Sequence, residues 1–272
     1  MTYFGFLLRF VVLPIGLLLI WALVNVRRGQ PGAGLRWGWP VAAALFGHSL
    51  IALVYTTPWD NYLVATGVWW YDINLVTGIT LGWVPIEEYT FFVLQPLLTG
   101  LLLWNLTQHL PASNEPLKAW VRPVVLGAVG LVWLASVIVL ARGWQPGTYL
   151  GLELVWALPP VMLQLAYGAD ILWRHRRLVL LNIGLTTLFL SFADSLAIGS
   201  GTWTIDPAQS LGVYLAGVLP VEELIFFLLT NVLVSFGVTL LLVPESRERG
   251  LSIWRRLRAG DGGKMRSPAR ES

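Results

Sequence analysis

Cysteine is absent from the 272 residues, which removes disulfides, thiolate metal sites and thiol nucleophiles together. Charge is scarce as well. Asp, Glu, Lys and Arg make up 12% of the chain, about half the share of an ordinary soluble domain. Lysine is confined to Lys118 and Lys264, both outside the long apolar runs, so no span offers the amine that a retinal Schiff base needs. No Gly-x-Gly-x-x-Gly occurs, so the chain lacks the fingerprint of a dinucleotide or flavin fold. What remains is apolar: 56% hydrophobic residues and a mean hydropathy of +0.67. That balance excludes a soluble enzyme, a disordered tail protein and a nucleic-acid binder, and it indicates an integral membrane protein.

A bilayer core about 30 Å thick needs about 20 apolar helical residues. Seven runs qualify: Tyr3–Val26, Trp37–Tyr55, Pro85–Leu106, Pro123–Ala141, Thr148–Trp173, Leu178–Ile198 and Pro220–Val243. The first is too long for a signal-peptide core and reads as a retained helix. The stretches Ile73–Val84 and Pro207–Leu219 are mildly apolar, and either extend the following helices or lie at the interface. Sixteen of the eighteen basic residues follow runs one, three, five and seven: Arg27, Arg28 and Arg36; Lys118 and Arg122; Arg174, Arg176 and Arg177; and the cluster from Arg247 to Arg270. Only Arg9 and Arg142 fall on the other side. The positive-inside rule therefore predicts a multi-pass protein of the cell membrane with its N-terminus outside and its C-terminus cytoplasmic. The polar segment 244–272 reads as a basic, unstructured cytoplasmic tail.

The chain also repeats itself. Asp60, Gly67, Trp69 and Asp72 recur 134 residues on as Asp194, Gly201, Trp203 and Asp206. With one residue inserted, Pro85, Glu87, Glu88, Phe91 and Phe92 recur as Pro220, Glu222, Glu223, Phe226 and Phe227. The matches fall on charged, aromatic and turn-forming residues, which apolar background does not produce. The expected fold is all-α, seven spans built as two parallel three-helix repeats (1–110 and 148–243) joined by a linker helix within 111–147. Both acidic motifs then face one shared, non-cytoplasmic cavity.

Glu87, Glu88, Glu222 and Glu223 are the candidate catalytic groups. Proline followed by acids also suits a plain helix start, where an acid meets the positive end of the dipole. However, two carboxyls per cap among Leu, Trp, Tyr and Phe exceed what capping needs, and burying them is costly. Adjacent helical residues point about 100° apart, so one glutamate of each pair should face the cavity and the other support it. Which one does which is open. Asp60 and Asp194, at helix ends, are candidates for substrate contact or for structure, whereas Asp72 and Asp206 suit turn chemistry. Phe91, Phe92, Phe226, Phe227, Trp69 and Trp203 are candidate substrate contacts, the tryptophans suiting interfacial anchors better. Gly67 and Gly201 suit turns. His48 suits a hydrogen-bonded core position, and Arg9 with Glu153 either an ion pair or a snorkelling arginine.

The two copies of Pro-x-Glu-Glu-x-x-Phe-Phe, Pro85–Phe92 and Pro220–Phe227, resemble the membrane-integral lycopene cyclase family, in its fused form, over about Tyr3 to Val243. The resemblance implies redox-neutral cyclisation of the ends of lycopene to β-ionone rings, with the motif acids Glu87, Glu88, Glu222 and Glu223 in catalysis. It implies no cofactor, no metal and no nucleic acid. The partners it implies are lycopene or a related acyclic carotenoid, the lipid bilayer and other enzymes of the carotenoid pathway. The chemistry suits the residues. An alkene is a very weak base, so its proton donor must be a neutral carboxylic acid in a dry site. The cation that follows needs aromatic faces and a nearby anion. The alternatives are a carotenoid hydratase, a C50 carotenoid cyclase or a 3+1+3 small-molecule transporter. A prenyltransferase would need closely spaced aspartates for magnesium, and here the outer aspartates stand 12 apart.

Overall fold

The computed structural model describes residues 1–28, 37–111 and 113–262. Arg36, Lys264, Arg266 and Arg270, which entered the charge count, lie outside them. Seven helices are long and apolar enough to cross a bilayer: α1 Tyr3–Arg28, α2 Trp39–Ala65, α3 Ile86–Thr107, α4 Val121–Ala141, α5 Gln145–Arg174, α6 Arg176–Gly199 and α7 Val221–Leu242. The molecule is thus an all-α membrane protein with seven candidate spans. An eighth helix, α8 Pro244–Gly262, follows.

Helices α3 and α7 form the centre. Each touches the other, and between them they contact α1, α2, α5 and α6. A polar clamp fixes their mutual register. Gln95 Nε2 donates to Asn231 Oδ1 at 2.8 Å, Thr99 Oγ1 donates to the same oxygen at 2.6 Å, and Asn231 Nδ2 reaches Thr187 Oγ1 of α6 at 3.3 Å. Such bonds hold helices together where lipid provides no hydrophobic drive. Helix α4 is the outlier. It packs chiefly on α5 and exposes Val124, Leu131, Leu134 and Ile138, an apolar face suited to lipid.

Short strands close one end of the bundle. Strand β1 Trp69–Tyr71 pairs antiparallel with β4 Trp203–Ile205, with Trp69 opposite Ile205 and Tyr71 opposite Trp203. Strand β2 Thr80–Leu81 pairs with β3 Val84–Pro85, and β5 Tyr214–Leu215 with β6 Leu219–Pro220. The stretches Ile73–Val84 and Pro207–Leu219 are therefore loops with small hairpins, and neither extends a helix. Gly67 and Gly201 turn the chain into β1 and β4 with φ of +72° each, a conformation open to glycine. Asp72 and Asp206 do turn chemistry: each accepts at Oδ1 from a backbone N–H two residues on, those of Asn74 and Ala208.

Two sequence expectations need correction. Run two does not stop at Tyr55. Helix α2 continues past Pro58 to Ala65, a stretch in which Thr57 Oγ1 bonds the Leu53 carbonyl and Asn61 Nδ2 the Thr57 carbonyl. Asp60 consequently lies inside α2, near its end, as Asp194 lies near the end of α6. Nor is the segment after Val243 unstructured throughout, because Pro244–Gly262 is helical. Asp170 accounts for its docking: Arg249 holds both carboxylate oxygens at 2.8 and 2.6 Å, and Arg122 adds a contact at 3.3 Å. This ion cluster, with Arg174–Glu245 and Arg176–Glu115, occupies the end of the bundle opposite the strands.

Candidate active site

Six of the seven spans bring side chains to a cavity under the strands. Its walls include Tyr3 and Phe6 of α1, Trp59 and Asp60 of α2, Glu88, Phe91 and Phe92 of α3, Tyr149 of α5, Asp194 of α6, and Glu223, Phe226 and Phe227 of α7. Trp69, Tyr71, Trp203 and Ile205 of the paired strands complete it. The cavity has a volume of about 50 Å³, little more than room for one or two waters. Admitting anything larger requires its aromatic walls to part.

The glutamate pairs divide their work. Glu87 and Glu222 are 1% and 0% exposed and turn away from the cavity. Glu87 Oε1 accepts from the Thr77 backbone N–H at 2.6 Å, and Glu222 Oε1 from that of Leu211 at 2.6 Å. Each therefore ties the loop before its helix to the first helical turn. Glu88 and Glu223, one residue on, face the cavity. This is the 100° offset between neighbours made concrete, and it settles which member of each pair turns inward.

Tyrosines orient the inward acids. Glu88 Oε2 accepts from the hydroxyls of Tyr3 and, at 3.1 Å, Tyr71; Trp69 Nε1 in turn donates to Tyr71 at 3.2 Å. Glu223 Oε1 accepts from the Tyr149 hydroxyl at 2.7 Å. Burial pushes the Tyr71 phenol well above its ordinary range, and the carboxyls of Asp60 and Glu88 push it further, so Tyr71 remains a donor. Asp194 Oδ1 accepts from Trp203 Nε1 at 3.0 Å. Both oxygens of Asp60 are buried without a hydrogen-bond partner, and Asp194 lies against the carboxyl of Glu223. Among the described residues, the ion pairs involve Asp170, Glu245 and Glu115, all at the other end. The cavity thus gathers four carboxyls and a ring of aromatic faces without a cation.

All of the sequence candidates other than Glu87 and Glu222 line this cavity. Trp69 and Trp203 are part of its wall: Trp69 packs edge-on to Trp59 and Tyr149, and Trp203 against Tyr3 and Phe6. His48 lies deeper in the bundle, its Nδ1 2.7 Å from the Ala44 carbonyl, as a core position requires. Arg9 makes no ion pair with Glu153. It is exposed at the surface, with Met1 Sδ at 3.8 Å, while Glu153 is fully buried. Sequence reasoning passed over Tyr3, Tyr71 and Tyr149. A signal for two of them existed: Tyr3, Gly5, Leu8 and Pro14 recur 146 residues on as Tyr149, Gly151, Leu154 and Pro160.

Comparison with curated proteins bears directly on such a site. Over 192 residues, 70% of this chain, it is 44% identical to a lycopene beta-cyclase of Halobacterium salinarum, covering 78% of that protein. The chain belongs to the lycopene cyclase family. It is also similar to bifunctional lycopene cyclase/phytoene synthases of fungi: 37% identical over 197 residues in Podospora anserina and 40% over 202 in Leptosphaeria maculans. Those alignments cover 70% and 69% of this chain but only 33% and 34% of the fungal proteins. No family model and no solved structure matches the chain.

Proposed function

We propose that this lycopene cyclase performs its reaction in the acid cavity, with Glu88 and Glu223 as the proton-transferring groups. The observation that carries this reading is their shared position: two inward carboxyls, each held by a tyrosine hydroxyl, among Phe91, Phe92, Phe226 and Phe227. One acid, neutral at the start, delivers its proton to C2 of the terminal C1=C2 bond. The C5=C6 bond attacks the resulting C1 cation and closes a six-membered ring. A carboxylate then removes the proton from C6, leaving the C5=C6 bond of a β ring. No electrons are gained or lost. Phenyl faces stabilise a passing cation by about 0.5–2 kcal/mol each, and the second carboxyl supplies the anion. Asp60 and Asp194 supply further acid in the same wall.

The rest of the polyene has a place to lie. Below the acid cavity, and sharing Phe91, Phe92 and Phe226 with it, is an apolar cavity of about 180 Å³ reaching His48, Gln95 and Gln164. It shares Ile51, Tyr55 and Trp156 with an open groove of about 670 Å³ on the outer faces of α2 and α5. A hydrocarbon dissolved in the bilayer reaches the acids by this route without crossing water. The same reading takes α1–α3 and α5–α7 as parallel three-helix repeats joined by α4. The sequence matches and the paired roles of Glu87 with Glu222 and Glu88 with Glu223 support it. It places the acid cavity at the outer side of the cell membrane and the basic end in the cytoplasm. A reporter active only outside the cytoplasm, fused after Ser272, is expected to stay silent, and an active one would reverse the orientation.

Pigment analysis tests the function. A lycopene-accumulating host expressing this chain should convert lycopene to β-carotene. Unchanged lycopene with the protein present in the membrane would overturn the reading.

A further inference from the structure

Glu153 is a fully buried carboxyl outside the cavity wall; it lies against the Tyr149 side chain without a well-formed hydrogen bond to it or to any other group. It lies one helical turn after Tyr149 on the same face of α5. The titratable groups around it are Tyr149, Glu222 and Glu223. In the 146-residue register its counterpart in α1 is Leu7. One half of the chain therefore fills this position with hydrocarbon, and packing alone does not call for an acid there. A buried carboxyl without partners is unfavourable for folding, and groups of this kind cluster where chemistry uses them.

We propose that Glu153 is a proton-relay residue that recharges Glu223 through Tyr149. The inference rests on the cyclase reading above. When Glu223 has given its proton to the alkene, its carboxylate takes the proton of the Tyr149 hydroxyl that already donates to it at 2.7 Å. Tyr149 takes the proton of Glu153 in the same motion. The proton removed from C6 passes to Glu88. Reset consists of one proton entering Glu153 from the loop side, past Glu222, and one leaving Glu88, so the cycle is balanced. Glu153 never touches the substrate. The relay belongs to the second half alone, which makes Glu223 the acid that turns over repeatedly.

The test separates the first turnover from later ones in purified enzyme reconstituted in lipid. Glu153→Gln is expected to keep the first cyclisation at the wild-type rate and to slow steady-state turnover at least roughly tenfold, a modest share of what proton transfer contributes. Glu153→Asp, which keeps the acid, should recover part of that loss. Glu153→Leu, which copies position 7, should raise the melting temperature while showing the same slow steady state. Wild-type steady-state turnover in Glu153→Gln or Glu153→Leu would overturn the relay. So would an equal loss of first and later turnovers, which marks a packing role. Failure of the wild-type chain itself to cyclise lycopene would instead overturn the cyclase reading.

Discussion

Glu88→Gln and Glu223→Gln, made singly, should each lower cyclisation by roughly 10²- to 10⁴-fold, the contribution of a positioned acid or base, with the protein still folded in the membrane. Glutamine preserves volume, and its carbonyl oxygen still accepts the tyrosine bonds that Glu88 receives from Tyr3 and Tyr71 and Glu223 from Tyr149. What it lacks is the acidic proton. Glu88 and Glu223 sit on different helices but line one cavity, so under the proposed mechanism they act on the same substrate end. Conversion of lycopene is the readout, and thermal stability in detergent is the control. Because the two acids form a working pair, the double mutant should be little worse than either single one. A multiplicative loss would mean that the two carboxyls work in separate sites. Undiminished conversion in either single mutant would remove that glutamate from the chemistry.

The outward glutamates should give the opposite pattern. Glu87→Leu together with Glu222→Leu removes two buried acceptors from the backbone N–H groups of Thr77 and Leu211. Leaving a hydrogen-bonding group without its partner costs about 1–3 kcal/mol, so the pair should destabilise the protein by roughly 2–6 kcal/mol. The loops they hold carry the hairpins β2–β3 and β5–β6, which lead directly into α3 and α7. The melting temperature should therefore fall sharply, and activity with it. Glu87→Gln and Glu222→Gln retain the acceptor and should keep most of both. If Glu87→Gln lost activity as completely as Glu88→Gln at unchanged stability, the division of labour within the pair would be wrong.

The carboxyl motifs were readable because acids inside apolar sequence stand out, and because repetition at 135 residues, beside the 134-residue repeat of the outer loops, excludes chance. Their division of labour was not. Which of two adjacent side chains turns inward depends on the angle at which β3 and β6 deliver the chain into α3 and α7, and that angle follows from pairings too short to show as periodicity. The end of α2 was hard to read because the apolar run stops at Tyr55 and proline favours a helix end in isolation, yet the helix runs on past Pro58 and carries Asp60 into the cavity. Tyr3 was hidden for a different reason. A tyrosine at the start of an apolar span reads as an interfacial anchor, and only its match to Tyr149 marks it as more. Helix α8 was hidden because its docking depends on Asp170, an acid near the end of α5 whose partners Arg249 and Arg122 lie 79 and 48 residues away in sequence.

Proton-in, proton-out catalysis by buried carboxyls is the central claim, and the isotope content of the product tests it most directly. Purified enzyme in lipid, supplied with lycopene in deuterated water, should form β-carotene carrying one deuterium per ring. The label should sit at C2, the carbon protonated first, because the proton lost to form the β ring leaves from C6. Mass spectrometry counts the label and NMR locates it. Rings free of deuterium, or deuterium bound anywhere other than C2, would contradict the account.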